Sequence, residues 1–172
     1  MNLKDSKLIA ADRNEVWRAL LSAEVLQQCV PGCKEMSGSP EEGFEATVVQ
    51  KVGPVKATFK GAVTLSDIVE GESLMLSGEG KGGAAGFAKG GAKVVLTDEE
   101  GGTLLSYDVE AKVGGKLAQL GSRIIDGFAK KMADQFFEEF RNTVQGSSEE
   151  AEGFEGRENK KGWLGRLVSN QN

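Results

Sequence analysis

A stripe of apolar side chains recurs every four residues in the last third of the chain, and it limits the folds that this sequence can adopt. An α-helix has 3.6 residues per turn, so steps of four rotate the stripe by about 40° per turn. A helix with this much apolar surface must lie against another element, and a rotating stripe suits a helix that crosses a twisted sheet. The pattern predicts one long helix over residues 115–144. The stripe comprises Leu120, Ile124, Phe128, Met132, Phe136, Phe140 and Val144.

Upstream of this helix, apolar and polar residues alternate, which is the pattern of half-buried β-strands. The clearest run is Val55–Val69, with Lys56 and Lys60 on its polar face. Two short helices are predicted after the first strand, one with Asp12 as its N-cap and the other over residues 23–28. Short turns between consecutive strands indicate an antiparallel meander. The further predicted strands cover residues 3–9, 44–52, 87–97 and 103–113, and another begins at 73–77.

The composition argues against several classes of function. The 172 residues contain no histidine, which removes the commonest general base and metal ligand and every Ser-His or Cys-His pair. The net charge is −5, and without a dense Lys/Arg run nucleic acid is not expected as a partner. Cys29 and Cys33 would be reduced thiols in a cytoplasmic protein. They are four apart rather than in a C-x-x-C pair, so we expect no metal site. These observations favour a protein that is not an enzyme.

Three glycines match the letters G-x-G-x-x-G but not the context of a dinucleotide site. Gly78, Gly80 and Gly83 would have to open a helix inside a βαβ unit, whereas the glycines continue into a predicted strand. We therefore expect a flexible or bulged strand pair. Residues without side chains there can also leave room for a ligand.

Three segments together resemble the G-subunit family of carbon monoxide dehydrogenase, within the START-like, helix-grip superfamily. The first is Cys29-Val30-Pro31-Gly32-Cys33, and the second is the V-G-P-x-K-A-T-F run over residues 52–59. The third is the helix from Leu120 through Phe140. The resemblance covers about residues 1–144. It implies an α+β fold in which a curved seven-stranded antiparallel sheet wraps a long C-terminal helix and leaves a cavity between them.

The resemblance also implies a role beside a molybdenum hydroxylase of the carbon monoxide dehydrogenase type. Family members are thought to carry quinone to the enzyme or to recruit it to the membrane, and they are not the catalytic subunits. An apolar, enclosed pocket suits such cargo. We expect no intrinsic cofactor and a bound quinone, such as menaquinone, or a lipid. The predicted ligand-binding residues are Phe59, Val63, Phe87, Tyr107, Val109, Leu120, Arg123, Ile124 and Phe128.

The composition changes at Gly146, so a domain over residues 1–145 and a tail over 146–172 are predicted. The tail begins with a flexible acidic linker and ends in a basic, apolar segment with one helical face. Such a segment with Trp163 suits a membrane interface, a partner protein or an end with no role. We expect a cytoplasmic protein that associates peripherally with the inner face of the cell membrane. The predicted membrane- or partner-binding residues are Lys160, Lys161, Trp163, Leu164, Arg166, Leu167 and Val168.

Two other functions stay open at this point. One is a recruitment or assembly factor that holds no cargo, which the tail suggests. The other is a cyclase or hydrolase on the helix-grip fold that uses a cavity acid or Tyr107, an argument by fold analogy alone. An inward-facing carboxylate beside Tyr107 would favour the enzyme, and an apolar cavity would favour the carrier.

Overall fold

Seven strands and three α-helices make up the part of the chain that the computed structural model describes, which is residues 1–159, with side chains through 146. Short 3₁₀ segments lie at Gly83–Ala85 and Gly115–Leu120. The strands are β1 (Asn2–Ile9), β2 (Cys33–Ser39), β3 (Gly43–Val52), β4 (Val55–Val69), β5 (Ser73–Lys81), β6 (Phe87–Glu99) and β7 (Gly102–Gly114). The helices are α1 (Arg13–Leu20), α2 (Ala23–Cys29) and α3 (Ser122–Asn159).

The strands form one antiparallel sheet in the order β1-β7-β6-β5-β4-β3-β2. This is a meander from β2 to β7 with β1 added at the β7 edge, as the helix-grip prediction requires. The strand Val55–Val69 has the predicted bounds. The alternation did not predict β2, because its residues are mostly polar and its place is at an edge. The glycines after Ser77 do not end β5, which continues to Lys81.

Two short helices follow β1, as predicted, and each has a side-chain cap. The Asp12 carboxylate accepts a hydrogen bond from the Asn14 N–H at 3.0 Å, and Ser22 Oγ accepts one from the Val25 N–H at 3.3 Å. Such caps satisfy N–H groups that the first turn of a helix leaves unpaired. The two caps fix the corner between α1 and α2, which lets both helices cover the inner face of the sheet.

The long helix differs from the prediction at both ends. Residues 115–120 form a 3₁₀ segment, and Gly121 has φ 90°, a conformation that favours glycine and ends the segment before α3 begins. At the other end, helical backbone continues to Asn159, whereas a flexible linker was predicted from residue 146. The division into a domain and a tail stays a prediction. The predicted tail residues from Lys160 to Val168 lie outside the described residues.

The core lies between the sheet and residues 133–144 of α3. Phe140, Ile9 and Leu105 are 0% exposed. The Phe136 and Phe140 rings stack with centroids 5.7 Å apart, and Phe137 stacks on Tyr107 at 4.9 Å. Burying each such ring stabilises the fold by about 1.5–3 kcal/mol. The core therefore fixes residues 133–144 of α3 across the sheet.

Candidate functional site

A cavity of about 370 Å³ lies beside this core, between the inner face of the sheet, the α1–α2 pair and α3. Every side chain that lines it is apolar. This volume is within the range of roughly 300–1,000 Å³ found for ligand pockets. The lining residues are Leu20, Leu21, Leu26, Val30, Met36, Phe44, Ala46, Val48, Gly61, Val63, Leu65, Leu74, Leu76, Val94, Leu105, Phe136 and Phe137.

Small residues on the inner face of the sheet create this space. Ala46 and Gly61 lie directly opposite each other on β3 and β4, so no large side chain covers the backbone at the floor of the cavity. The next strand continues the pattern, because Gly78 lies opposite Val63, and a Cβ at Gly78 would come within 3.1 Å of Val63 Cγ2. A larger residue at either glycine would occupy space that the cavity now holds open.

The nine predicted ligand-binding residues do not form one site. Val63 lines the cavity, and Tyr107 and Val109 belong to the core beside it. Leu120 and Ile124 lie near Gly53 at the turn between β3 and β4, and the Phe59 ring lies beside Gly82.

The remaining three do not line the cavity. Phe128 is half-buried on α3, while Arg123 is exposed at its first turn. Strand alternation places Phe87 on the outer face of the sheet with 43% of its surface exposed, so it faces away from the cavity.

The residues that the prediction missed come mainly from α1, α2 and β3. Leu20, Leu21 and Leu26 fold over the sheet only because of the capped corner at Ser22, and this long-range arrangement leaves no local signal. A signal did exist in β3, where Phe44, Ala46 and Val48 alternate toward the face of β4 that carries Val63. The Phe136 and Phe137 rings pack against the core and also form the cavity wall.

Tyr107 lies next to a group of charged residues at the β1 edge of the sheet. Asp5 lies opposite Tyr107 in the sheet, and Lys7 Nζ contacts the Asp5 carboxylate at 3.6 Å and the Asp134 carboxylate at 3.3 Å. Burial, followed by the charges of Asp5 and Asp134, raises the pKa of Tyr107. The phenol therefore stays protonated at neutral pH. It can donate a hydrogen bond but is a poor general base.

The two cysteines are free thiols. Cys29 is buried at the end of α2, and burial is the main cause that raises its pKa. Burial also raises the pKa of Cys33, whose Sγ donates to the Glu35 carbonyl at 3.2 Å. Raised pKa values make both thiols weak nucleophiles at neutral pH. Within residues 1–146, no cluster of three or more Cys, Asp or Glu side chains could hold a metal ion.

The glycine-rich segment has strand geometry where a nucleotide site would need a helix. Gly78 and Gly80 are part of β5, and Gly83 begins a three-residue 3₁₀ turn that leads into β6. No described helix of this chain is long and apolar enough to cross a membrane.

Solved structures share this fold over most of the chain. A conserved protein from Geobacillus kaustophilus has a TM-score of 0.79 and 28% identity, covering 86% of this chain and 97% of its own. A protein from Rhizobium leguminosarum has a TM-score of 0.67 at 15% identity, covering 84% of this chain and 94% of its own. The protein Ara h 8.0201 has a TM-score of 0.59 at 14% identity, covering 85% and 98%.

The family model identifies the sequence more closely than these structures do. No curated protein matches the chain. The model of CoxG, the G-subunit family of carbon monoxide dehydrogenase, matches residues 6–145, which include the residues that line the cavity. The helix-grip, START-like architecture agrees with that match. The chain therefore belongs to the CoxG family of carbon monoxide dehydrogenase subunits.

Proposed function

We propose that this chain is a non-catalytic accessory protein that carries an apolar molecule in the cavity between the sheet and α3. The cargo is a quinone such as menaquinone, or a lipid, and the recipient is a molybdenum hydroxylase of the carbon monoxide dehydrogenase type. The observation that carries the proposal is the cavity lining, which contains no polar side chain.

The physics of the lining favours an apolar cargo. Each methylene that moves from water into the cavity stabilises the complex by about 0.8 kcal/mol. A polar metabolite would lose its hydrogen bonds to water and find no side-chain partner there, which costs roughly 1–3 kcal/mol for each group. A prenyl or acyl chain has many methylene or methyl groups and few polar groups, so its transfer into the cavity is favourable.

The family supports the delivery step of the proposal. The matched family bears the name of a carbon monoxide dehydrogenase subunit. A molybdenum hydroxylase that reduces quinone would need a carrier, because quinones partition into the membrane. We therefore propose a cytoplasmic protein that associates peripherally with the inner face of the membrane, with residues 160–172 as one point of attachment.

An enzymatic role is less well supported than the carrier. Asp5 and Asp134 are the carboxylates near Tyr107, and both are in contact with Lys7. None of these four residues lines the cavity. The raised pKa of Tyr107 also removes it as a base at neutral pH. A cavity without acid, base or nucleophile is suited to holding a molecule rather than converting it.

The test is to fill the cavity without changing its chemistry. Gly61→Val adds apolar atoms to the floor of the cavity, while Ala62→Val adds them on the exposed outer face of the same strand. Displacing about three methylenes of cargo at ~0.8 kcal/mol each predicts roughly 2 kcal/mol weaker binding in Gly61→Val. Binding is measured by menaquinone quenching of Trp17 fluorescence, with Trp163→Phe in every variant.

Organic extraction of the purified full chain, followed by mass spectrometry, identifies the cargo. We expect a quinone or lipid in the wild type and in Ala62→Val, and less of it in Gly61→Val. If the wild type yields no apolar molecule and menaquinone does not quench Trp17, the carrier proposal is wrong. The recruitment factor without cargo then becomes the better explanation.

A further inference from the structure

The two ends of the sheet carry opposite charge. We define the lysine end as the end with the β3–β4 turn, the β5–β6 connection and the 3₁₀ segment before α3. The acidic end is the opposite one, where β2, β4 and β6 lead into the next strand. Segments 39–43, 67–72 and 98–102 at the acidic end contain no Lys or Arg. Their acidic residues are Glu41, Glu42, Asp67, Glu70, Glu72, Asp98, Glu99 and Glu100.

The lysine end contains pairs of like charges that do not help to stabilise the sheet. Three pairs of lysines face each other directly across neighbouring strands, and strand alternation places all of them on the outer face. Like charges at directly opposite positions destabilise a sheet. The pairs are Lys51 with Lys56, Lys60 with Lys81, and Lys89 with Lys112.

These lysines are exposed and have no ion-pair partner among the described residues. Lys116 in the 3₁₀ segment before α3 and Arg123 in the first turn of α3 add exposed cations. Carboxylates lie nearby at Glu79, Glu110 and Asp126, so the cations outnumber them by far. A chain with a net charge of −5 therefore has one strongly cationic end.

Two large apolar side chains lie exposed among these cations. Phe87 is 43% exposed and lies directly opposite Lys81 on the outer face of the sheet. Ile124 is 42% exposed at the first turn of α3, next to Arg123. Lysine stems and aromatic rings at one surface suit a boundary between apolar and charged layers. Other exposed apolar residues, such as Ile68 and Val69, lie toward the acidic end.

We propose that the lysine end of the folded domain docks on an anionic lipid bilayer, with Phe87 and Ile124 inserted at the interface and the lysines over the lipid phosphates. The acidic end then points away from the membrane, because anionic lipids repel it. This surface is separate from residues 160–172, and docking does not depend on whether the cavity holds cargo. An acidic protein surface could pair with the lysines, but it would not need exposed Phe87 and Ile124 beside them, so the bilayer is favoured.

The docking test uses the full chain with Lys160→Gln, Lys161→Gln and Trp163→Ala in every sample, which lowers the tail's positive charge and removes its tryptophan ring. Cosedimentation is measured with vesicles of phosphatidylglycerol and phosphatidylcholine, and with phosphatidylcholine alone. We expect binding to the anionic vesicles only, with loss of binding at high salt. Each lysine near an anionic surface contributes about a fivefold preference, so Lys60→Gln with Lys81→Gln should lower binding roughly 30-fold. Phe87→Ser should also weaken binding.

Two controls make the result specific. Arg18→Gln with Lys131→Gln removes two exposed positive charges elsewhere and should leave binding unchanged, and so should Val69→Ser. The Lys60→Gln, Lys81→Gln variant should melt no lower than the wild type, because it removes a like-charge pair. Its loss of binding cannot then be attributed to unfolding.

Two outcomes would overturn docking. One is equal binding to anionic and neutral vesicles, and the other is unchanged vesicle binding in the lysine variant. If that variant also loses association with the purified hydroxylase, the lysine end is assigned to a protein partner. Cargo extraction from the same samples separates these failures from failure of the carrier proposal.

Discussion

Among the α3 residues with described side chains, the packed half (residues 133–146) belongs to the core, whereas the open half (residues 122–132) lies largely exposed. Phe140 is 0% exposed and Val144 is 4% exposed, while Ile124, an apolar residue of the same stripe, is 42% exposed. Phe136 and Phe137 lie in the packed half, between Ile124 and Phe140 in sequence, and form the cavity wall. One continuous apolar stripe therefore serves two purposes. Its end stabilises the fold, and its start leaves an apolar surface uncovered.

This difference in packing predicts which part of the fold opens most easily. Local opening requires less free energy where few apolar contacts are buried. The first turns of α3 follow Gly121 at φ 90° and contain Gly127, which has no neighbour near its missing side chain. Movement of α3 should therefore begin at its open half, next to the turn between β3 and β4, while Phe140 keeps the packed half in place.

The largest effect should come from truncating the packed half. Phe140→Ala removes a fully buried ring that stacks on Phe136 at 5.7 Å and meets Phe137 edge-on at 6.4 Å. Loss of a buried phenylalanine costs about 3–5 kcal/mol of unfolding free energy. Urea denaturation followed by circular dichroism measures the change.

Ile124→Ala is the matched truncation in the open half. Because its side chain is already 42% exposed, we expect it to lose less than about 1 kcal/mol. Similar losses for the two variants would show that both halves are packed alike, and the contrast between them would be wrong.

A smaller effect should come from stiffening the open half. Gly127→Ala places a methyl group in open space inside α3 and should stabilise the helix by roughly 0.5–1 kcal/mol. We expect slower hydrogen exchange of the amides in residues 122–132. Gly146→Ala makes the same change in open space farther along the helix. If Gly146→Ala slows exchange over residues 122–132 equally, the two halves do not open separately.

Much of the fold could be predicted because its signals are local. Alternation along Val55–Val69 gave β4 its correct bounds, and Asp12 gave the start of α1. The edge strand β2 has no such alternation, since polar residues are tolerated in a strand that is exposed to solvent at the edge of the sheet. The break before α3 was missed because Leu117 and Leu120 continue the apolar spacing, while the positive φ of Gly121 ends the 3₁₀ segment.

The cavity was harder to predict than the fold because it depends on contacts between distant segments. Val63 was identified since it lies on the apolar face of a clear strand. Leu20 and Leu26 were missed, because the corner between α1 and α2 decides where they point. Tyr107 was on the correct face, but the stacked Phe137 ring at 4.9 Å places it in the core.

The smallest predicted effect concerns the ion pairs at the middle of α3. Hydrogen bonds from Lys130 at 3.0 Å and from Lys7 at 3.3 Å lower the pKa of Asp134 below the ordinary value of about 3.9. A lowered folded pKa means that the carboxylate stabilises the fold above the ordinary value. This contribution is lost as the pH falls through the lowered pKa.

Because Asp134 is 43% exposed, solvent screening keeps the contribution below about 1 kcal/mol. Asp134→Asn should therefore lower stability slightly at neutral pH and flatten the loss of stability below pH ~4. Urea midpoints measured from neutral to acidic pH test this, with Asp126→Asn as the control on the exposed face of α3. An acid dependence that is unchanged in Asp134→Asn would show that Lys7 does not stabilise the fold through Asp134. The link between β1 and α3 would then rest on apolar packing and on the hydrogen bond that the Ala10 N–H donates to Gln145 Oε1 at 2.8 Å.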